Sequence, residues 1–146
     1  LVLVAYLIFT QVFLITQAEG MGMFPAIKDG DLIISFRLHR NYEKNDVVTY
    51  QIDGKRKIGR IVARSKDVVN IEEEGTLRVN GTPQSGEIMY PTYPKESLSY
   101  PYTVEENHIF VLGDYRTRAQ DSRDLGAIPI DGLEGKVITI LRRQGL

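Results

Sequence analysis

The stretch Asp46-Val47-Val48-Thr49-Tyr50-Gln51-Ile52-Asp53-Gly54-Lys55-Arg56-Lys57-Ile58-Gly59-Arg60-Ile61-Val62-Ala63 reads as two strands joined by a two-residue turn. Valine, threonine, tyrosine and isoleucine suit a pleated surface. Asp53-Gly54 is a strong hairpin signal, because a tight hairpin turn needs positive φ at its central residues. The return strand runs from about Arg56 to Ala63, with Ile58 and Val62 turned inward and Lys57 outward.

The same texture continues on both sides. Asp31 to Phe36 is a short apolar run suited to a buried strand. Val68 to Ile71 and Thr76 to Val79 flank the solvated turn Glu72-Glu73-Glu74-Gly75, and Asn80-Gly81 closes another hairpin. His108 to Leu112 and Lys136 to Leu141 complete the set, with Gly135 marking a bend before the last strand. No helix longer than a turn or two is legible after Gly20, and there are no internal repeats. Between Thr82 and Tyr102, Pro83, Pro91, Pro94 and Pro101 forbid regular structure. This is a surface excursion with short edge strands. Its Tyr90, Tyr93 and Tyr100 either pack it down or offer a partner surface, since tyrosine gives large contact area at low entropy cost.

Composition narrows the function. A chain of 146 residues fits one domain. A net charge of −1 argues against a nucleic-acid footprint, which needs a basic face. The absence of cysteine rules out a disulfide framework, a thiolate metal site and a cysteine nucleophile. His39 and His108 lie far apart with no second ligand nearby, so neither a metal nor a cofactor is expected. From Leu1 to Ala18 there is no charge. Two readings fit: a long buried strand from Leu3 to Ile15, or the outer end of a membrane anchor that runs into the first strand. The second is preferred. It makes residues 1–15 the end of an anchor and residues 16–146 an extracytoplasmic domain.

Three segments carry a resemblance. Glu19-Gly20-Met21-Gly22-Met23-Phe24-Pro25 through Gly30-Asp31 resembles the nucleophile box of type I signal peptidases, roughly Gly-x-Ser-Met-x-Pro-Thr-Leu-x-x-Gly-Asp. Gly59-Arg60-Ile61-Val62-Ala63-Arg64-Ser65-Lys66-Asp67 resembles the family's base strand. Gly113-Asp114, Asp121-Ser122-Arg123 and Gly126 match the third box at the right spacing. The resemblance implies a mainly β fold of coiled antiparallel sheets in a signal-peptidase-type barrel. It also implies ion pairs between Arg60 and Asp114 and between Asp121 and Arg123. A groove for an extended peptide would run along Gln17, Ala18, Gly20, Met21 and Gly22 on one side and Arg56, Lys57 and Ile58 on the other.

In that family a serine attacks the scissile carbonyl and a neutral lysine takes its proton, which is nucleophilic catalysis by an activated hydroxyl. Gly22 stands at the serine position, Gly59 at the lysine position, and Ala119 where a serine would orient the lysine. A register that makes Lys55 the base puts Lys57 at an apolar position and Ala63 at the box aspartate, so it is rejected. On these residues the chain resembles catalytically degenerate family members found beside pilus genes in Gram-positive bacteria, streptococci above all. The expectation is a protein that is not an enzyme. It would be a membrane-anchored chaperone or assembly factor binding a pilin subunit or a pilus sortase. The alternative is a Ser/Lys signal peptidase met as an inactivated variant. A bare structural module is the weakest reading, because no repeat or wall-anchor motif is present.

Overall fold

A computed structural model describes residues 1–39, 41–84, 88 and 90–142. In chain order it contains α1 (Val2–Val12), β1 (Phe13–Gln17), β2 (Leu32–Phe36), β3 (Val47–Ile52), β4 (Lys55–Arg64), β5 (Val68–Ile71) and β6 (Leu77–Val79). There follow β7 (Thr82–Pro83), β8 (Tyr102–Thr103), β9 (His108–Leu112), α2 (Ser122–Leu125), β10 (Ile128–Pro129) and β11 (Leu133–Leu141). Seven strands form one sheet in the order β1-β2-β11-β3-β4-β9-β10, and four form a second in the order β7-β6-β5-β8. Every pairing is antiparallel. The mainly β expectation is met.

The two-residue turns set the registers. Asp53 and Gly54 take φ of 51° and 76°, and Asn80 and Gly81 take 52° and 82°. Both pairs have the positive φ that matches the right-handed twist of the flanking strands. The first turn fixes β3 on β4 from Val47 opposite Arg60 to Ile52 opposite Lys55. β4 is the central element. Its Ile61, Val62 and Ala63 are all buried, because one face packs on Val48, Tyr50, Val111 and Ile128 while the other joins Val69, Leu77, Phe110 and Leu112. Burial of each such aliphatic side chain stabilises the fold by about 1.5–3 kcal/mol.

Three local expectations are corrected. Residues 2–12 form a helix, exposed along almost its whole length, and the first strand covers only Phe13–Gln17, so the long buried strand from Leu3 to Ile15 is overturned. No helix among the described residues is long and apolar enough to cross a membrane. Gly135 lies inside the last strand, which begins at Leu133. The register with β3 shifts between Leu133 and Gly135, and a Cβ at residue 135 would stand 2.8 Å from Phe36 O. The glycine serves close strand approach at a bulge. Lys57 is half-buried and not fully exposed. Of the proline-rich excursion, residues 85–87 and 89 lie outside the described residues.

Candidate functional site

β1 is the outermost strand of its sheet, and β4 pairs with β9 only from Arg60 onward. One edge of β1 and one edge of residues 55–59 therefore carry no strand partner. The curled sheet brings these two edges to opposite sides of a groove of about 880 Å³. Residues 15–20 form one wall, residues 55–58 the other, and residues 118–120 close one side with Gly22, Met23 and Ile27. Ala18, Met23, Ile27 and Ile33 make an apolar base against which Ile58 packs. Free strand edges over apolar pockets can hold an extended peptide by strand addition.

The loop that carries Gly22 is held by the third box. Tyr115 N–H donates to Gly22 O at 3.0 Å, and Asp114 N–H donates to Met23 Sδ at 3.3 Å. Gly113 makes this approach possible. A Cβ there would overlap Ala119 Cβ and lie 2.6 Å from Gly22 O. Gly22 itself is roomy: a Cβ would meet only Ala119 Cβ, at 3.9 Å, and its backbone is outside the left-handed region. Gly59 is the opposite case. A Cβ there would overlap Val111 Cγ1 and stand 3.5 Å from both the Tyr50 ring and Leu112 O. Gly59 is buried behind the groove wall and does not line it. Gly22 and Ala119 thus meet in the groove, whereas the space a side chain at residue 59 would need is filled by Val111 and Tyr50.

Of the residues expected to line the groove, Gln17, Ala18, Gly20, Gly22, Arg56, Lys57 and Ile58 do so, and Met21 points away, 42% exposed. The wall past Gln17 is not a strand: Gly20 turns the chain at φ 80°. Sequence reasoning missed Thr16, Glu19, Lys55, Arg118 and Gln120 as lining residues. Alternation from Gln17 back along β1 does not find Thr16, since both faces of this short strand border the groove. Thr16 Oγ1 is buried without a hydrogen-bond partner. Lys57 Nζ donates to Gln120 Oε1 at 3.2 Å, and Arg56 is held by Glu134 at 2.6 and 2.9 Å.

The ion pairs lie beneath the site. Arg60 donates Nε and Nη2 to the two oxygens of Asp114, at 2.9 and 2.8 Å. Arg123 does the same with Asp121, at 3.0 and 2.9 Å, and both side chains are almost fully buried. Asp121 also caps α2 through a capping box with Asp124. The tyrosines divide. Tyr90 stacks on Tyr115 at 4.5 Å and 7°, and Tyr100 packs on the core with its hydroxyl unpartnered, its phenol pushed up to about 12 by burial. Only Tyr93 of the three is well exposed, at 45%. Lys95 ties the excursion to the box, donating to Ala119 O at 2.6 Å and Asp124 Oδ2 at 2.7 Å.

Hydrogen bonds from Arg56 hold the Glu134 carboxyl below its ordinary range. Burial alone would raise Asp124, but hydrogen bonds from Lys95 and the Asp121 N–H outweigh it and bring it down. A carboxyl depressed on folding contributes stability that is present above its unfolded pKa and lost as pH falls through the folded one. The melting temperature is therefore expected to drop as pH falls below about 4. Glu134→Gln should flatten part of that acid limb while leaving the alkaline side unchanged. Superimposable melting profiles for the two proteins between about pH 3 and 6 would show that the Arg56 contact carries no linkage.

Comparison with known proteins gives this geometry a family. A chloroplastic thylakoidal processing peptidase from Arabidopsis thaliana is 30% identical over 130 residues, 80% of this chain and 35% of its own length. Signal peptidase I from Bacillus licheniformis is 31% identical over 127 residues, 75% of this chain and 66% of its own. The chain thus spans about a third of the first relative and about two thirds of the second. The crystal structure of a signal peptidase I from Enterococcus faecalis superposes with a TM-score of 0.57 at 25% identity, covering 68% of this chain and 98% of that one. These names overturn one expectation. Gly22, Gly59 and Ala119 led to a protein that is not an enzyme, yet the relatives are named as peptidases. The three boxes, the ion pairs and the two-edged groove fall within residues 1–141, which match the signal peptidase profile, peptidase S26, and the chain belongs to that family.

Proposed function

We propose that the groove is the site of a signal-peptide endopeptidase, in which an extended segment lies between β1 and residues 55–59 of β4. The observation that carries the reading is the pair of unpartnered strand edges facing one another across an apolar base. Such a groove would hold an extended backbone, the form in which an A-x-A-like cleavage site is presented. Gly22 N–H makes no hydrogen bond among the described residues. It is a backbone donor for the carbonyl oxygen of a bound segment, where charge develops during acyl transfer. The resemblance asks for a serine at residue 22 and a lysine at residue 59, and the present sequence has glycine at both.

A second reading keeps the groove and changes the client to an extended segment of a pilin or of its sortase. It is favoured by those same two glycines, since strand addition needs neither a nucleophile nor a base. In both readings residues 1–15 serve as the end of a membrane anchor and the domain stands outside the cytoplasm. The test is fluorescence titration with peptides spanning an A-x-A-like cleavage site or a pilin segment. Saturable binding of the first peptide, weakened at least about tenfold by Ile58→Asp because a charge then faces the apolar base, supports the peptidase groove. Binding of the pilin peptide alone favours the second reading. Binding of neither peptide, or binding indifferent to Ile58→Asp, removes the groove as the site.

A further inference from the structure

Where the two sheets meet, a further cavity of about 90 Å³ is lined by Asn45, Arg60, Gln84, Tyr90, Thr92 and Arg116, with Val62, Leu77 and Ile88 as its apolar part. Arg116 is only 4% exposed. Its Nε donates to Gly113 O at 2.9 Å and its Nη1 to Thr92 Oγ1 at 2.7 Å. Nη2 has no acceptor among the described residues, and no described carboxylate lies within 4.0 Å. The nearby acids are engaged elsewhere: Asp114 with Arg60 and Asp121 with Arg123. Asp114 and Asp121 still act on Arg116 from a distance and partly offset the cost of burying its charge. Burial brings the Arg116 pKa down to about 10, so the group is still charged at neutral pH. A buried cation without a counter-charge is costly.

We propose that this cavity binds a small oxyanion, a carboxylate or phosphate group, with Arg116 as its charged donor and the Asn45 amide as a neutral one. Guanidinium is the side chain suited to such oxygens. The Asn45 side chain has no partner among the described residues and lines the same cavity. The volume takes one such group and excludes anything as large as a nucleotide. This site stands apart from the groove, and its assignment does not depend on what the groove binds.

The test is the melting temperature at constant ionic strength, with chloride replaced stepwise by phosphate or by acetate. A saturable rise of roughly 3–5 °C at about ten times the dissociation constant is expected for the unaltered chain. Whichever anion gives it identifies the group, phosphate or carboxylate. Asn45→Asp keeps a residue that tolerates the local φ of 75° and adds a carboxyl to the residues that line the cavity with Arg116. It should melt above the unaltered chain in chloride and lose the anion response. Arg116→Met should also lose the response; if it fails to fold, Asn45→Asp still decides. Equal responses in the unaltered chain and Asn45→Asp mark a general salt effect and overturn the proposal.

Discussion

Arg123→Ala is expected to lower the melting temperature by roughly 6–20 °C, the largest stability effect of any single change in the third box. Arg123 is 1% exposed. Besides its two bonds to Asp121, it donates to Arg116 O at 2.7 Å and to Tyr93 O at 3.1 Å. It is therefore the post on which the box, α2 and the tyrosine excursion are hung. Truncation leaves the Asp121 carboxylate buried and uncompensated, which costs about 3–5 kcal/mol, whereas an exposed pair is worth about 0–1 kcal/mol. Asp121 also accepts from Gly113 N–H at 3.0 Å, and Gly113 is where the box backs onto Gly22 O. Damage at residue 123 should thus reach the groove. The double change Asp121→Asn with Arg123→Met should recover part of the loss, since it removes both charges at once and keeps an acceptor oxygen for the α2 cap or Gly113 N–H. Thermal melts followed by circular dichroism give the comparison. A fall under about 2 °C for Arg123→Ala would mean that the pair is hydrated in solution and does not support the box.

The fold was legible wherever a local signal fixes geometry. Asp53-Gly54 and Asn80-Gly81 determine their turns by φ alone, so β3, β4 and β6 were found within a residue or two. Gly135 was misread because glycine marks both a bend and a close approach, and only the neighbouring strand distinguishes them. That neighbour, Phe36 on β2, is 99 positions away (135 − 36). The same limit hid much of the site. Gly22, Gly59 and Ala119 were found as motif positions, but the filling of the space beside residue 59 comes from Val111 and Tyr50, which no spacing rule connects to it. Arg116 reads in the sequence as one more charge in a mixed run. Its burial appears only once Thr92 and Gly113 have closed over it. Tyr90 and Tyr100 likewise looked available as a surface, and they are spent on Tyr115 and on the core.

Restoring the two side chains that the resemblance asks for should yield peptide cleavage only after the space beside residue 59 is cleared. Gly22→Ser alone is expected to fold normally, because its Cβ meets nothing closer than 3.9 Å. Without a base it gains little. Adding Gly59→Lys forces a side chain onto Val111 Cγ1 and the Tyr50 ring. Overpacking of this kind costs about 1–3 kcal/mol, or roughly 2–12 °C in melting temperature for a domain of this size. It also leaves the amine pointing wherever the displaced chain allows. Val111→Ala removes the obstructing atoms, and Ala119→Ser supplies a hydroxyl next to residue 22 to orient the amine. The lysine then lies among Tyr50, Leu112 and the remaining aliphatic wall, an environment that lowers an amine's pKa and keeps it neutral enough to take a proton. The fourfold variant is expected to cleave a substrate with an A-x-A-like site at least about 10²–10⁴ times faster than the present sequence, the scale of a positioned general base. The Gly22→Ser, Gly59→Lys double variant should stay near the starting rate. Mass spectrometry of the products and melts of each variant separate failed folding from failed chemistry. A fourfold variant that melts normally and binds the peptide without cutting it would show that the groove does not present a scissile bond to residue 22, and would leave the holding of a client segment as its work.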